Sequence, residues 1–286
     1  RGLTRAKDQN GIAMRSALFV SALLCVSALP AQDREFGVAV RTNLAAMRAN
    51  PTAYQNVKVK FTVQFASLGR ISNPFFTKFT PTDYANFYAW GDEQQIWQEP
   101  DYNDVFGTLF LSKGNSQLEA LYGLRLYQRI QCTGVVRNSF QGMPWIEVLS
   151  FEDVGGQVDT AVLTHMHRGE NLMEQRLWQR AIAELSRAPG EGVPQIVTMA
   201  AHRNLGLCLL RMGEARAAIG YLKSASELGQ GLDFEVENLL AVAESNPAKA
   251  IDRTVDSSTL KDSERPMWEA FGGNQPAAPL TRVLGR

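Results

Sequence analysis

Three histidines and three cysteines are the side chains best suited to metal or nucleophilic chemistry in this sequence, and their spacing limits what they can do. His165 and His167 stand two residues apart. On a helix that spacing points them about 200° apart, whereas two ligands of one metal need a spacing of three or four. His202 stands alone, so no metal is expected. Cys132 and Cys208 lie on apolar stripes without a basic neighbour, which reads as buried and inert thiols. They fall in different predicted domains and Cys25 lies in an N-terminal apolar run, so no disulfide framework is expected.

Asp92-Glu93 and Glu99 with Asp101 are carboxylates near enough for acid–base work. Turn and loop carboxylates on a solvated surface are the commoner arrangement, and we read them so. No nucleophile elbow occurs, and Gly190-Glu191-Gly192 and Gly229-Gln230-Gly231 lack the rest of a phosphate-binding loop. The expectation is a protein without cofactor that is not an enzyme. Lys and Arg total 29 and so do Asp and Glu, which removes the electrostatic pull that a nucleic-acid binder normally has and argues against such a partner.

The N-terminus reads as an address. Met14-Arg15 precedes a nearly continuous apolar run, Ser16 to Leu29, closed by Pro30-Ala31. A positive n-region, a short h-region and a small residue at the cut predict a secretory signal cleaved after Ala31. Leu24 before Cys25 departs from the small residue of lipoprotein signals. Residues 1–31 are therefore set aside as upstream sequence and signal peptide, with 32–53 as a linker or N-terminal helix. No later run is long enough to span a bilayer, so the mature chain is expected to be exported, periplasmic or secreted, without a membrane span.

Residues 54–154 are patterned for strands. Val57, Val59, Phe61, Val63 and Phe65 alternate with polar residues, the period of a strand with one buried face. Further strands are expected from Tyr84 to Trp90 and from Thr108 to Ser112. A helix follows Asn115-Ser116, with Leu118, Leu121 and Tyr122 on one face. Two more strands, Leu126 to Val136 with a bulge at Gly134, and Trp145 to Phe151, flank a turn at Asn138 to Gly142. This order of strands and helix resembles an OB-fold, a five-stranded barrel with its helix between the third and fourth strands. Another small β-barrel or α+β domain is the competing reading. By that resemblance Tyr84, Tyr88 and Trp90 mark the ligand face: turned to solvent they form a platform for stacking bases or sugar rings, and turned inward they are core, the commoner fate of aromatics.

Residues 159–245 change to a period between three and four. Ala181-Ile182 aligns with Ala218-Ile219, Leu185 with Leu222, Ala188 with Ala225 and Gly169 with Gly206, an offset of 37 residues. Pro189 to Pro194 supplies a loop between the units. The second unit, about Met199 to Gly231, resembles the tetratricopeptide family in Leu205-Gly206, Gly213, Ala218, Leu222 and Ala225. In the first unit Arg168 and Arg176 replace the usual Leu and turn Gly, and Trp178, Ala181, Leu185 and Ala188 carry the likeness. Asp233 to Ser245 reads as a capping helix ended by Asn246-Pro247. The resemblance implies a concave face that holds a protein or peptide, lined by Arg203, Asn204, Leu207 and Glu237. A helical bundle that merely braces the barrel is the alternative.

The expected fold class is α+β: a five-stranded OB-like β-barrel domain, then a short TPR-like hairpin array joined at Gly155-Gly156, then a mostly disordered tail over 246–286 in which Pro266 to Phe271 is the one apolar knot. The expected function is an exported adaptor that binds a protein or peptide. An OB-type module for oligosaccharide or single-stranded nucleic acid is the second reading, and an enzyme acting on a cell-envelope polymer the third.

Overall fold

The computed structural model describes residues 37–70 and 79–252. The signal segment and the apolar knot at 266–271 lie outside the described residues. A two-residue strand, β1 (Val40–Arg41), leads into helix α1 (Leu44–Ala49). Asn43 caps that helix by accepting from the Ala46 amide at 2.8 Å. Strands β2 (Lys58–Leu68), β3 (Tyr84–Gly91), β4 (Phe106–Ser112), β5 (Gln128–Phe140) and β6 (Met143–Gln157) follow. Helix α2 (Glu99–Asn103) lies between β3 and β4, and α3 (Leu118–Tyr122) between β4 and β5.

The strands form one mixed six-stranded sheet in the order β1-β2-β3-β4-β6-β5, and β2 pairs with β5 as well. β2 uses Lys58 to Gln64 against β5 and Val63 to Leu68 against β3, so the antiparallel pairings leave β2 on one side and return to it on the other. The β4–β6 pair is parallel, with Leu109 beside Ile146. The odd residues of β2 turn into one core with Phe87, Leu109, Ile130 and Ile146, and with Leu121 of α3 and Leu44 of α1. Register shifts between Thr133 and Gly134, where a side chain would meet the Glu147 carbonyl at 2.7 Å. That is the close approach glycine permits. Gln141 and Gly142 both take positive φ, the requirement of a tight hairpin turn, and join β5 to β6.

The even residues of β2 are less exposed than simple alternation implies. Gln64 is fully buried, because this outer face of the sheet, shared with Tyr88 and Trp90, is covered in turn. Tyr88, Trp90, Trp97 and Tyr127 pack in a second cluster with Leu163, Met166, Leu205 and Cys208 of the helical part. Both parts lie in the compact unit that begins at Val38.

Five helices follow: α4 (Thr160–Glu174), α5 (Trp178–Leu185), α6 (Gln195–Met212), α7 (Ala215–Leu228) and α8 (Phe234–Ser245). α4 with α5 and α6 with α7 form two hairpins built alike. A Cβ on Gly169 would lie 2.5 Å from Leu185, and one on Gly206 the same distance from Leu222. Each first helix ends on a left-handed residue, Arg176 (φ 58°) or Gly213 (φ 88°). At each turn the next amide, Leu177 or Glu214, bonds to the carbonyl of Leu172 or Leu209 at 2.8 Å. This six-to-one bond closes a helix C-terminus around a left-handed residue, and the first hairpin makes it with arginine at the cost of some backbone strain.

Two expectations need correction. Gly155-Gly156 is part of β6, with Gln157 paired to Gln128 and its amide donating to Gly192 O at 2.9 Å. The loop that lengthens the repeat thus holds the end of the sheet. The chain also stays packed beyond Ser245. Pro247–Ala250 is a 3₁₀ turn, Ala250 joins the cluster of Leu210, Ala218 and Leu222, and Trp178 Nε1 donates to Asp252 O at 2.6 Å. Among the described residues no helix is long and apolar enough to cross a membrane.

Candidate functional site

The polar residues that meet between the two parts are carried by α4, α6 and the connection from β3 to β4. That connection is held by its own bonds. The Gly91 amide donates to Gln94 Oε1 at 2.6 Å, the Gln95 amide to Asp101 Oδ2 at 2.6 Å, and the Tyr102 amide to Gln98 O at 2.9 Å. Ile96 and Trp97 are thereby buried against the helices.

On α6, Gly206 faces α7. Asn204, two residues earlier, lies about 200° around the axis and so points away from the second helices of the hairpins. Asn204 is only 4% exposed. Its Nδ2 donates to Glu170 Oε1 at 3.0 Å, and its Oδ1 accepts from Arg203 Nε at 3.3 Å. Trp97 Nε1 donates to Glu170 Oε1 at 2.9 Å and Gln98 Nε2 to Glu170 Oε2 at 3.1 Å. Arg203 Nη1 reaches Glu235 of α8 at 3.4 Å. A continuous chain of polar contacts thus runs from the β3–β4 connection across α4 and α6 to α8.

Burial pushes the Glu170 carboxyl above its ordinary pKa, opposed by the bonds from Trp97, Gln98 and Asn204 and by the charge of Arg203. His167 stands one turn before. Its Nδ1 lies 3.2 Å from Trp97 O, which only accepts, and its Nε2 lies 3.0 Å from Asn171 Nδ2, which only donates, so the pattern assigns the Nδ1–H tautomer.

Of the residues expected at a groove, Arg203 and Asn204 are brought together, with Asn204 as a buried support. Leu207 is half-buried on α6. Glu237 of α8 accepts from Ser226 Oγ of α7. Tyr84 is half-buried, edge-on to Phe79 at 4.9 Å. Tyr88 and Trp90 are buried, and Trp90 lies beside Tyr127 with Nε1 donating to Tyr102 O at 3.0 Å. Neither presents a ring face to solvent.

The remaining candidates for chemistry lie apart. Asp92 is held by Arg129 through two 2.7 Å bonds, and Glu93 Oε1 accepts the Ala45 amide at 2.7 Å. His165 pairs with Glu184 at 2.8 Å and His202 with Ser224 at 2.9 Å. Among the described residues no His, Cys, Asp and Glu group is arranged to hold a metal. Burial raises the Cys132 thiol and pushes Cys208 up to about 12, so both stay protonated and unreactive at neutral pH.

Sequence reasoning missed Glu170, Trp97 and Gln98. A signal existed: Glu170 follows Leu163 by seven residues and Met166 by four, which puts a carboxylate on the apolar stripe of its own helix. No protein-family model matches the chain, and no curated protein matches it in sequence.

Proposed function

We propose that this chain is a non-catalytic, exported adaptor in which an OB-like β-barrel is joined to a short tetratricopeptide-like array, and that the array takes a protein or peptide segment at Arg203 and Leu207, with Glu237 at its far end. The barrel reading draws support from pairings that return to β2, from the parallel β4–β6 pair and from the helix between β4 and β5. The array reading draws support from two hairpins whose glycine–leucine contacts and left-handed turns recur at one offset.

The observation that carries the function is the setting of Arg203. Asn204 orients its Nε from the buried side, while its Nη1 meets a largely exposed Glu235 at 3.4 Å. The Arg203 side chain is largely buried and only the Glu235 end of the pair is exposed, so a partner carboxylate can reach the cation by taking the place of Glu235. A barrel that stacks bases or sugar rings on Tyr84, Tyr88 and Trp90 is less well supported, because the last two are buried. Export rests on the sequence from Met14 to Ala31.

Affinity capture with the full mature chain tests the reading: Arg203→Glu should reduce partner recovery about tenfold, the loss expected when a charge-assisted hydrogen bond is reversed. Recovery that ignores Arg203→Glu and responds to changes on the sheet would move the function to the barrel. Expression from Met14 in a bacterium, with the mature N-terminus read at Gln32, tests export.

A further inference from the structure

We infer that Trp97 and Gln98 are a built-in occupant of the array's binding face, and that the partner segment which replaces them presents an indole beside a side-chain amide. This rests on the reading of the array as a protein-binding module.

In a hairpin array the surface left for a ligand is the one that the first helices turn away from the second. On α4 and α6 that surface is met by the chain's own β3–β4 connection. Its contacts read three separate features of a two-residue stretch. Glu170 Oε1 accepts the Trp97 indole N–H at 2.9 Å, His167 Nδ1 donates to the Trp97 carbonyl at 3.2 Å, and Glu170 Oε2 accepts the Gln98 amide at 3.1 Å. One main-chain and two side-chain features are recognised together, as when a groove reads an extended segment.

The choice of a carboxylate points the same way. Glu170 occupies a stripe position where an apolar side chain would pack without the desolvation cost of a buried charge. What the carboxylate adds is selection for N–H donors, and Trp97 and Gln98 supply them. Because Glu170 also holds Asn204, and Asn204 holds Arg203, departure of the occupant alters the support of the cation at the open stretch.

The test uses the full wild-type chain and native-state hydrogen exchange of indole N–H groups. Trp90 is the internal reference, since its Nε1 is buried in the same cluster and bonded to Tyr102 O. A displaceable segment exchanges without global unfolding, so the Trp97 indole should exchange at least about tenfold faster than that of Trp90. A blocked peptide with the sequence of residues 95–99 should raise the Trp97 rate further by holding the open form. The same peptide carrying Trp97→Phe should be roughly tenfold less effective, having lost a hydrogen bond to a charged acceptor. Equal exchange of Trp97 and Trp90, or a Trp97 rate indifferent to the peptide, would overturn the inference. If that happens while Arg203→Glu still lowers capture, the adaptor reading stands and only the built-in occupant is lost.

Discussion

Trp97 and Glu170 stand 73 residues apart in sequence and 2.9 Å apart in the fold, where an indole N–H from the sheet side meets a carboxylate on the first helix. The same carboxylate accepts from Gln98 and Asn204, so its removal takes the acceptor from the Trp97 and Asn204 donors, while Gln98 Nε2 keeps Gln95 Oε1 at 2.9 Å. Each buried donor left unpaired costs about 1–3 kcal/mol, and with two of them Glu170→Ala should lower stability by about 2 kcal/mol or more in denaturant unfolding. Glu170→Gln, whose side-chain oxygen can still accept from Trp97 and Asn204, should cost clearly less. Equal losses in the two variants would mean that packing, and not hydrogen bonding, is what Glu170 supplies.

The same carboxyl gives a pH dependence with a definite sign. Burial raises it above its ordinary 4.5, so the folded state holds the proton more tightly than the unfolded state does. Its contribution is present in full below 4.5 and is lost as pH rises through the folded value. Compared with the non-titrating Glu170→Gln, the wild type should lose relative stability as pH climbs from 4.5 and then level off. A difference that grows with pH over that window would show that the donors and Arg203 outweigh burial.

Gly206 is expected to resist the substitution that usually strengthens a helix. Alanine normally gains about 1 kcal/mol over glycine in a helix interior. Here its methyl would lie 2.5 Å from Leu222, and the overpacking should make Gly206→Ala about 1–3 kcal/mol less stable. Leu222→Ala removes the obstacle, so in that background Gly206→Ala should become neutral or stabilising. A cost that persists without Leu222 would place the strain elsewhere.

That contact also shows what the sequence could disclose. Glycines at 169 and 206 with leucines at 185 and 222 share one offset, and a small residue facing a large one across a tight helix pair leaves a periodic trace. The strands were legible for the same reason, since the side-chain period of a sheet is local. The contact of Trp97 with Glu170 leaves no such trace, because it joins a loop to a helix through tertiary packing alone. The burial of Gln64 leaves no trace either, because alternation separates two faces of a strand but does not say that the polar face is later covered. β1 pairs through only Val40 and Arg41, too short a run for any period.

Gln64 itself offers a test. It is fully buried between Trp90 and Arg129 on the neighbouring strands, and neither of its amide atoms has a protein hydrogen-bond partner. Replacing an unpaired buried polar group by an apolar one of similar shape is neutral or favourable. Gln64→Met should keep or raise the unfolding free energy, by up to about 1 kcal/mol. A loss of more than that would reveal a bond that Gln64 makes in solution.

The sheet and the helices are expected to unfold together. Trp90, Tyr102 and Tyr127 share one buried cluster with Val162, Leu163, Met166, Leu185, Leu205 and Cys208. A buried aromatic side chain covers about 150–250 Å², and at about 25 cal/mol per Å² each is worth roughly 4–6 kcal/mol. Losing even two of them is comparable to the whole stability of a small domain, about 5–15 kcal/mol. Two hairpins and a cap also fall short of the roughly three repeats that usually bury a continuous core. A fragment beginning at Asp159 would expose the helix face now covered by those aromatics and leave Glu170 without Trp97 and Gln98. In urea it should show a much lower midpoint than the full chain or no cooperative transition, while the full chain unfolds in one step by both tryptophan fluorescence and far-ultraviolet circular dichroism. A fragment that keeps the midpoint and slope of the helices in the full chain would show instead that the shared cluster contributes little, and that the two parts are stable independently of each other.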